Sequence, residues 1–315
     1  MATNKNATEV LHADAQGIAR AAAILERGGL VAVPTETVYG LAARADSADA
    51  VAKIYKAKGR PSFNPLIVHT RDAEQAADFA EFGKQALALA KAYWPGPLTM
   101  VLPLRCDAGL APAVTAGLPT LAVRCPEHPV MQQLLNTVSF PLAAPSANRS
   151  GYISPTSAAH VLETLEGRID AVIDGGRCVA GLESTIVAVR EDGSLHELRP
   201  GPIEIRGAHG HSGGPVEAGI ESPGQLASHY APGKDLRLNA TEAEDDEFLI
   251  GFDTIDGDCN LSNSGDLTTA AARLYDCLHQ AAASKKPRIA VAPIPDQGAG
   301  KAINDRLKRA ATPAD

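Results

Sequence analysis

The chain has 315 residues, of which 45% are hydrophobic, and a formal net charge of -8. This length is typical of two domains that each bury a core of their own. The acidic balance excludes a large, uniformly basic surface for nucleic acids, and the aromatic content of 4% excludes an extended stacking platform for single strands.

The cysteines and the N-terminus indicate where the protein works. The five cysteines form no C-x-x-C pair and are odd in number, which is typical of reduced thiols in a cytoplasmic protein. The N-terminal stretch MATNKNATEVLHADAQ lacks the apolar centre of a secretory signal. No window approaches the roughly 20 apolar residues of a membrane span. We therefore predict a cytoplasmic location and no membrane partner.

Helices and short strands alternate through the first 200 residues. The apolar spacing predicts strands over 30–33, 65–68, 98–104, 120–123, 142–144 and 171–173 and a hairpin over 184–198. It predicts helices over 15–27, 47–59, 72–93, 128–136 and 155–165. This alternation predicts an α/β domain over residues 1–200, with a twisted mixed sheet flanked by helices.

The rest of the chain reads as a linker and a second domain. Residues 201–234 are rich in Gly, Pro, His and Ser and lack periodicity, which indicates a linker, and His229 and Tyr230 would suit a lid over a site. Residues 235–315 predict a small α/β domain of βαβ, Rossmann-like pattern, with strands over 248–252 and 289–294 and helices over 267–281 and 302–311.

Basic residues lie between two apolar runs that end in polar side chains. The first run ends before Thr35, the second ends at His69, and Lys56, Lys58 and Arg60 come between them. Ligands gather at strand ends in open α/β sheets, and Lys together with Arg suits a phosphate. The alternative is that KGRP is only a helix C-terminus whose basic residues complement the helix dipole.

A second polar set suits an amino acid. Arg124 follows the strand at 121–123 and would bind a carboxylate bidentately. Thr35, Thr37, His69 and Thr120 would offer partners for an amine and a hydroxyl. The alternative is that these residues are strand-end caps and a core histidine.

Several motifs in a fixed order resemble the YrdC-like family. They are PTETVYGL, KGRP and NPLIVH, followed by APSANRSG, ESTIVAV, LRPG and SPGQLASHYAP. The later motifs resemble the two-domain members, the threonylcarbamoyl-AMP synthases. The resemblance covers about residues 31–232, with a weaker match in GKAINDRLKRAA near the C-terminus. Motifs in a fixed order are far more specific than one short pattern.

The resemblance implies one cavity for ATP and L-threonine, in which Lys58 and Arg60 are catalytic. The implied ATP-binding residues are Lys56, Lys58, Arg60, Asn64, Ser146, Asn148, Thr156, Arg199 and Tyr230. The implied threonine-binding residues are Thr37, His69 and Arg124, together with Ser184 or Thr185, and the strand-end residues Thr35 and Thr120 are added to this set as candidates.

The implied activity is that of a nucleotidyltransferase. It would make L-threonylcarbamoyl-AMP from L-threonine, bicarbonate and ATP, with release of pyrophosphate, for threonylcarbamoyl-adenosine modification of tRNA by downstream partner proteins. Mg²⁺ would accompany ATP, and no carboxylate cluster identifies ligands for it. Two alternatives stay open: a nucleotide- or RNA-binding module without synthase activity, and a related carbamoyl-adenylate enzyme. Direct binding of tRNA is undecided.

Overall fold

The computed structural model describes residues 7–210, 221–223 and 228–313. In these ranges the helices are α1 (Ala15–Glu26), α2 (Ala48–Lys58), α3 (Ala73–Ala77), α4 (Lys84–Tyr93), α5 (Pro129–Thr137), α6 (Ala158–Leu165), α7 (Leu267–Ala283) and α8 (Ala299–Ala311). The strands are β1 (Glu9–His12), β2 (Val31–Val33), β3 (Gly40–Arg44), β4 (Ile67–His69), β5 (Leu98–Pro103), β6 (Thr120–Arg124), β7 (Leu142–Ala143), β8 (Ala171–Asp174), β9 (Thr185–Val189), β10 (Leu195–Arg199), β11 (Ala208–Gly210), β12 (Asp235–Leu238), β13 (Glu247–Gly251), β14 (Cys259–Asn260) and β15 (Arg288–Val291). No helix in the described ranges is long and apolar enough to cross a bilayer.

The larger sheet is mixed, as predicted. Its strand order is β1-β8-β2-β3-β7-β4-β6-β5-β9-β10-β11, and parallel and antiparallel pairs alternate irregularly along it. β4 and β6 are parallel neighbours, and their registered pairs include His69 opposite Arg124. The carboxyl ends of these two strands therefore deliver a histidine and an arginine to the same edge of the sheet.

The smaller sheet is parallel throughout, with the order β12-β15-β13-β14, and α7 and α8 contact it. The predicted α/β character of this part is confirmed, but the sequence pattern missed two strands. β12 is half exposed and reads Asp-Leu-Arg-Leu, and β14 has only two residues, so neither forms an apolar run.

The structure differs from two further predictions because of tertiary contacts. The helix predicted over 72–93 is split into α3 and α4, because Ala80 bridges to Leu104 and Glu81 donates its backbone N–H to the Pro103 carbonyl. β3 was missed because it is buried between β2 and β7, so its Gly-Leu-Ala-Ala sequence shows no alternation of apolar and polar residues.

Helix α2 carries basic residues to the centre of the molecule. Ser47 caps its N-terminus by accepting from the Ala50 N–H, and Gly59 ends it in the left-handed conformation at φ +60°. Residues two apart on a helix point about 200° away from each other. Lys58 is consequently buried, whereas Lys56 faces solvent.

The two sheets share an apolar junction. Val38, Ile153 and Leu182 belong to the first 200 residues but pack in one cluster with Leu274 and its neighbours from the smaller sheet and its helices. Gly181 touches α7 so closely that a Cβ there would lie 2.5 Å from the Ala272 Cα. The second domain is therefore packed directly against the segment that precedes β9.

We predict that Gly181→Ala destabilises the protein through this junction. Gly167→Ala is the matched control, since both glycines have nearly the same positive φ (+68° and +66°) and a Cβ at 167 would meet nothing within 4 Å. In the control, the free energy of unfolding should fall only by the backbone cost of a non-glycine residue at positive φ, about 1–2 kcal/mol. Gly181→Ala should lose a further ~1–3 kcal/mol from overpacking. Urea unfolding measures both, and equal losses would contradict the close contact with α7.

Candidate active site

A cavity opens at the carboxyl ends of β4 and β6. Residues that are far apart in sequence meet around it, and many of them are buried and polar. Its lining comprises Thr35, Thr37, Val38, Gly40, Arg60, Ile67, His69, Arg124, Ala144, Pro145, Ser146, Glu183, Ser184, Arg199, Pro223, His229 and Tyr230.

One wall is organised by Arg124. Its Nη1 donates to the Thr37 hydroxyl (2.8 Å), and its Nη2 donates to Glu36. The Thr37 and Thr35 hydroxyls are 2.8 Å apart, and Thr35 donates to the Val38 carbonyl (2.6 Å). This chain of hydrogen bonds fixes both hydroxyls, while the guanidinium retains N–H groups beyond those that it has committed.

His69 is a neutral group on the same wall. Burial, together with the nearby charge of Arg124, lowers the pKa of His69 to about 3. Its Nδ1 lies 3.3 Å from the Ile67 carbonyl, which can only accept, so Nδ1 carries the proton. The remaining nitrogen, Nε2, is therefore a hydrogen-bond acceptor near neutral pH.

The lining also carries two further buried guanidinium groups. Arg60 donates to the Pro65 carbonyl (3.0 Å), and Arg199 donates to the carbonyl and hydroxyl of Ser184 (2.9 and 3.1 Å). Burial lowers the pKa of Arg60 to about 10, which still leaves it charged at neutral pH. In the described part of the chain, neither arginine has a carboxylate within 4 Å. Two buried cations held by neutral oxygens favour an anionic ligand.

Lys58 is buried just outside the cavity lining and holds a loop that contributes to it. Its ammonium donates to the carbonyls of Ser146 (2.5 Å) and Asn148 (2.7 Å) and so joins the end of α2 to the loop after β7. Burial and the charge of Arg60 hold the pKa of Lys58 well below its usual value. Lys58 thus positions Ser146, which does line the cavity.

The second domain reaches the cavity through Glu183. Arg306 of α8 donates to this carboxylate (3.0 Å), as does the Tyr275 hydroxyl of α7 (2.7 Å), and Ser154 donates to its other oxygen (2.5 Å). Burial by itself would raise the pKa of Glu183, but Arg306, Arg199 and these hydroxyls lower it to about 2. An ionised carboxylate is therefore held buried between the two domains.

Tyr230 and His229 come from the described end of the predicted lid. Tyr230 has a φ of +64°, a conformation that costs a non-glycine residue of the order of 1–3 kcal/mol, and its ring stacks on Tyr275 at 5.7 Å. His229 Nδ1 and Asn64 Oδ1 are buried without a hydrogen-bond partner among the described residues. Residues 211–220 and 224–227 of the predicted 201–234 lid lie outside the described residues, so the lid stays a prediction.

The structure brings together most of the residues singled out in the sequence. Those that line the cavity are Thr35, Thr37, Arg60, His69, Arg124, Ser146, Ser184, Arg199 and Tyr230. Others are buried but outside its lining: Lys58, Asn64, Asn148, Thr156 and Thr185. Thr185 donates to the Ile203 carbonyl, and Thr156 lies 3.3 Å from a nitrogen of His160.

Two residues are not brought to the cavity. Lys56 lines a different cavity, on the outer face, because it points away from Lys58 on the helix. Thr120 begins β6 and Arg124 ends it, so about 13 Å of extended strand separates them. The expectation that these two bind substrate finds no support in their positions.

The sequence analysis assigned no site role to two residues that the structure places at the cavity or in contact with it. Glu36 accepts a hydrogen bond from Arg124, and Arg306 donates a hydrogen bond to Glu183. Arg306 could have been found, because it interrupts the apolar face of α8 formed by Ala302, Ile303 and Ala310. A charged residue on such a face requires a buried partner.

Comparisons with known proteins match this architecture from residue 23 to residue 312. A model of the Sua5, YciO and YrdC proteins, described as telomere recombination, matches residues 23–201. A model described as the C-terminal domain of threonylcarbamoyl-AMP synthase matches residues 194–312. The chain belongs to the Sua5/YciO/YrdC family. The second match places it with the two-domain members.

Curated relatives and a solved structure resemble the chain over 69–96% of its length. The threonylcarbamoyl-AMP synthase of Bacillus subtilis is 40% identical over 96% of this chain and 95% of the relative. That of Pyrococcus abyssi is 44% identical over 69% of this chain and 66% of the relative. The crystal structure of P. abyssi Sua5 complexed with L-threonine superimposes with a TM-score of 0.88 at 34% identity, covering 96% of this chain and 98% of that chain.

We predict that Arg306→Met destabilises the protein by about 3–5 kcal/mol at pH 7, because it leaves the buried Glu183 carboxylate without its cation. The loss should shrink as the pH falls. With Arg306, the pKa of Glu183 is about 2, below its unfolded value, so the ionised carboxylate stabilises the fold above pH 4. Without Arg306, burial raises that pKa, and protonation then relieves the penalty.

Urea unfolding at several pH values measures this effect. Lys308→Met is the matched control, since it removes an exposed charge from the same helix and should change stability by no more than about 0.5 kcal/mol. A loss for Arg306→Met that is small, or that does not depend on pH, would contradict the role of Arg306.

Proposed function

We propose that this chain is an L-threonylcarbamoyl-AMP synthase, a nucleotidyltransferase that acts on L-threonine, bicarbonate and ATP. One observation carries the proposal: a single cavity combines a neutral histidine, fixed hydroxyls and an arginine with two further guanidinium groups, neither of which forms a salt bridge with any described residue. The first set suits an amino acid, and the second suits a polyphosphate.

L-Threonine would bind on the wall of Arg124. The free N–H groups of this guanidinium would hold the substrate carboxylate, and the Thr37 and Ser184 hydroxyls would hold the polar groups of its side chain. His69 Nε2 would accept from the substrate amine, which must be neutral to attack. Because His69 stays uncharged, it does not repel an amine that is still protonated on arrival.

ATP would place its phosphates between Arg60 and Arg199. Both guanidinium groups are fixed by backbone carbonyls and hydroxyls, so they need not reorganise when negative charge develops on the phosphate. The loop at Ser146, held by Lys58, would offer a further hydroxyl to the nucleotide. Tyr230, held in its strained conformation, would close the adjoining side.

The reaction would follow from this arrangement. The threonine amine joins bicarbonate with loss of water and gives a carbamate. A carbamate oxygen then attacks the α-phosphorus of ATP, the bond to the β-phosphate oxygen breaks, and pyrophosphate leaves with the electron pair. The attacking carbamate is already anionic, so catalysis consists mainly of positioning and charge neutralisation.

Among the described residues, no carboxylate around the cavity is free to bind Mg²⁺. Glu183 is committed to Arg306 and Tyr275, and Glu36 is committed to Arg124. If Mg²⁺ takes part, ATP itself would therefore hold it, and the ion would neutralise phosphate charge. We place the enzyme in the cytoplasm, where proteins that modify tRNA would consume its labile product.

The decisive experiment measures pyrophosphate release from ATP by the purified full chain. A synthase should require L-threonine and bicarbonate together, and mass spectrometry should detect threonylcarbamoyl-AMP. ATP or RNA binding without release would favour a binding module. Carbamoyl-adenylate formed from another carbamoyl donor would favour the related carbamoyl-transfer activity.

We predict that Arg60→Ala lowers the rate of threonine-dependent pyrophosphate release by roughly a hundredfold, the effect of removing one preorganised donor to the developing charge. Lys56→Ala is the matched control. Lys56 is a basic residue four positions earlier that faces away from the cavity, and its removal should leave the rate unchanged. Equal effects of the two substitutions would contradict the phosphate role of Arg60.

Thr37→Val should raise the KM for L-threonine about tenfold and leave the KM for ATP unchanged, because it removes a hydroxyl that is fixed on the threonine wall. Thr120→Val makes the same chemical change at the far end of β6 and should alter neither constant. Steady-state kinetics with each substrate varied in turn measures both variants. A rise in KM for ATP alone would reverse the assignment of the two walls.

A further inference from the structure

An ion pair ties the hairpin of β9 and β10 to the short segment 221–223. Arg190 directly follows β9, and its Nη1 and Nη2 donate to the two carboxyl oxygens of Glu221 at 2.7 and 3.1 Å. The two side chains are 37% and 23% exposed, so solvent screens the pair only in part. Two parallel N–H···O bonds between a guanidinium and a carboxylate fix the orientation of the partners as well as their distance.

The same segment reaches the cavity two residues later. Pro223 lines the cavity, and its carbonyl accepts a hydrogen bond from Arg199 Nη1 at 3.4 Å. Ser222, between the two contacts, is fully buried. Glu221 therefore anchors one end of a three-residue segment whose other end contacts a guanidinium group of the cavity.

The two arginines that hold this segment lie at opposite ends of the hairpin. Arg199 is in register with Ile186, whereas Arg190 comes directly after Val189. Four residues of extended strand span about 13 Å. The segment 221–223 consequently runs along the hairpin, from its turn toward the cavity.

Arg199 is held on two sides by different parts of the chain. Its Nε and Nη2 donate to the Ser184 carbonyl at 3.1 and 2.9 Å, and Ser184 directly precedes β9. Its Nη1 donates to Pro223, which belongs to the segment that Arg190 anchors. One side of the guanidinium is thus fixed by the sheet, and the other side depends on a contact that the ion pair secures.

We propose that Arg190 is a positioning residue for ATP, which acts through Glu221 and Pro223 on Arg199. The inference rests on the proposed function, in which Arg199 binds phosphate. Arg190 is not part of the cavity lining, so it acts without touching the substrate. When the ion pair is absent, binding of ATP has to order the segment and the Nη1 side of Arg199, and the affinity for ATP falls. The competing view is that the pair is a surface contact without effect on binding.

A double-mutant cycle on ATP affinity decides between these views. Arg190→Gln and Glu221→Gln should each weaken ATP binding by the full-length protein about fivefold, the upper end of what a partly exposed ion pair contributes. The double variant should also bind about fivefold more weakly, instead of about 25-fold, because the two residues act as one unit. Isothermal titration calorimetry measures the three affinities without any turnover.

The matched control removes a similar ion pair elsewhere. Arg105 makes two hydrogen bonds to the Asp107 carboxylate, at 3.0 and 3.1 Å, and neither residue lines the cavity. Arg105→Gln should therefore leave the affinity for ATP unchanged.

Steady-state kinetics separates positioning from a general loss of structure. Arg190→Gln should raise the KM for ATP about fivefold and change kcat and the KM for L-threonine by less than about twofold. Unchanged ATP affinity, additive losses in the cycle, or equal rises in both KM values would overturn the inference. Coupled losses of ATP affinity in a protein that shows no threonine-dependent pyrophosphate release would support this inference and contradict the proposed function alone.

Discussion

The buried carboxylate of Glu183 is the point on which the two domains and the cavity depend together. It lies just before β9, lines the cavity, and accepts hydrogen bonds from Arg306 and Tyr275 of the second domain. An unpaired carboxylate at this depth would be strongly destabilising, so the first domain needs the second to complete its own wall. Arg306 also lies 5.4 Å from the centre of the Tyr230 ring and donates to the Pro200 carbonyl. The second domain thus supports the cavity at several places.

The pairing of buried charges also explains the rest of the cavity. Arg124 has its own carboxylate partner in Glu36, whereas Arg60 and Arg199 are held by neutral oxygens. The wall of Arg124 is therefore nearly neutral, and the part of the lining that carries Arg60 and Arg199 keeps an excess of positive charge. In the proposed function, such a division would orient a zwitterion and a polyphosphate differently within one cavity. Because hydrogen bonds hold each arginine in place, the electrostatic field inside the cavity is set before any substrate binds.

The sequence allowed the fold class and most of the cavity to be predicted, because strand ends and ordered motifs are local signals. His69 and Arg124 are examples, since each directly follows an apolar run. Contacts between distant segments could not be predicted, because nothing in the local sequence shows that Arg306 contacts Glu183. Helix geometry shows that Lys56 points away from Lys58, and strand length shows that Thr120 lies far from Arg124. Short or half-exposed strands such as β12 carry too little apolar pattern to be recognised.

A double-mutant cycle on Glu183 and Arg306 tests most directly whether this pair joins the second domain to the catalytic cavity. Glu183→Gln, Arg306→Met and the double variant would be compared by urea unfolding and by threonine-dependent pyrophosphate release. The account predicts that the double variant is more stable than Arg306→Met alone, with a coupling of at least about 1.5 kcal/mol, and that activity is lost non-additively. Additive effects on both stability and activity would contradict it, because the two residues would then act independently.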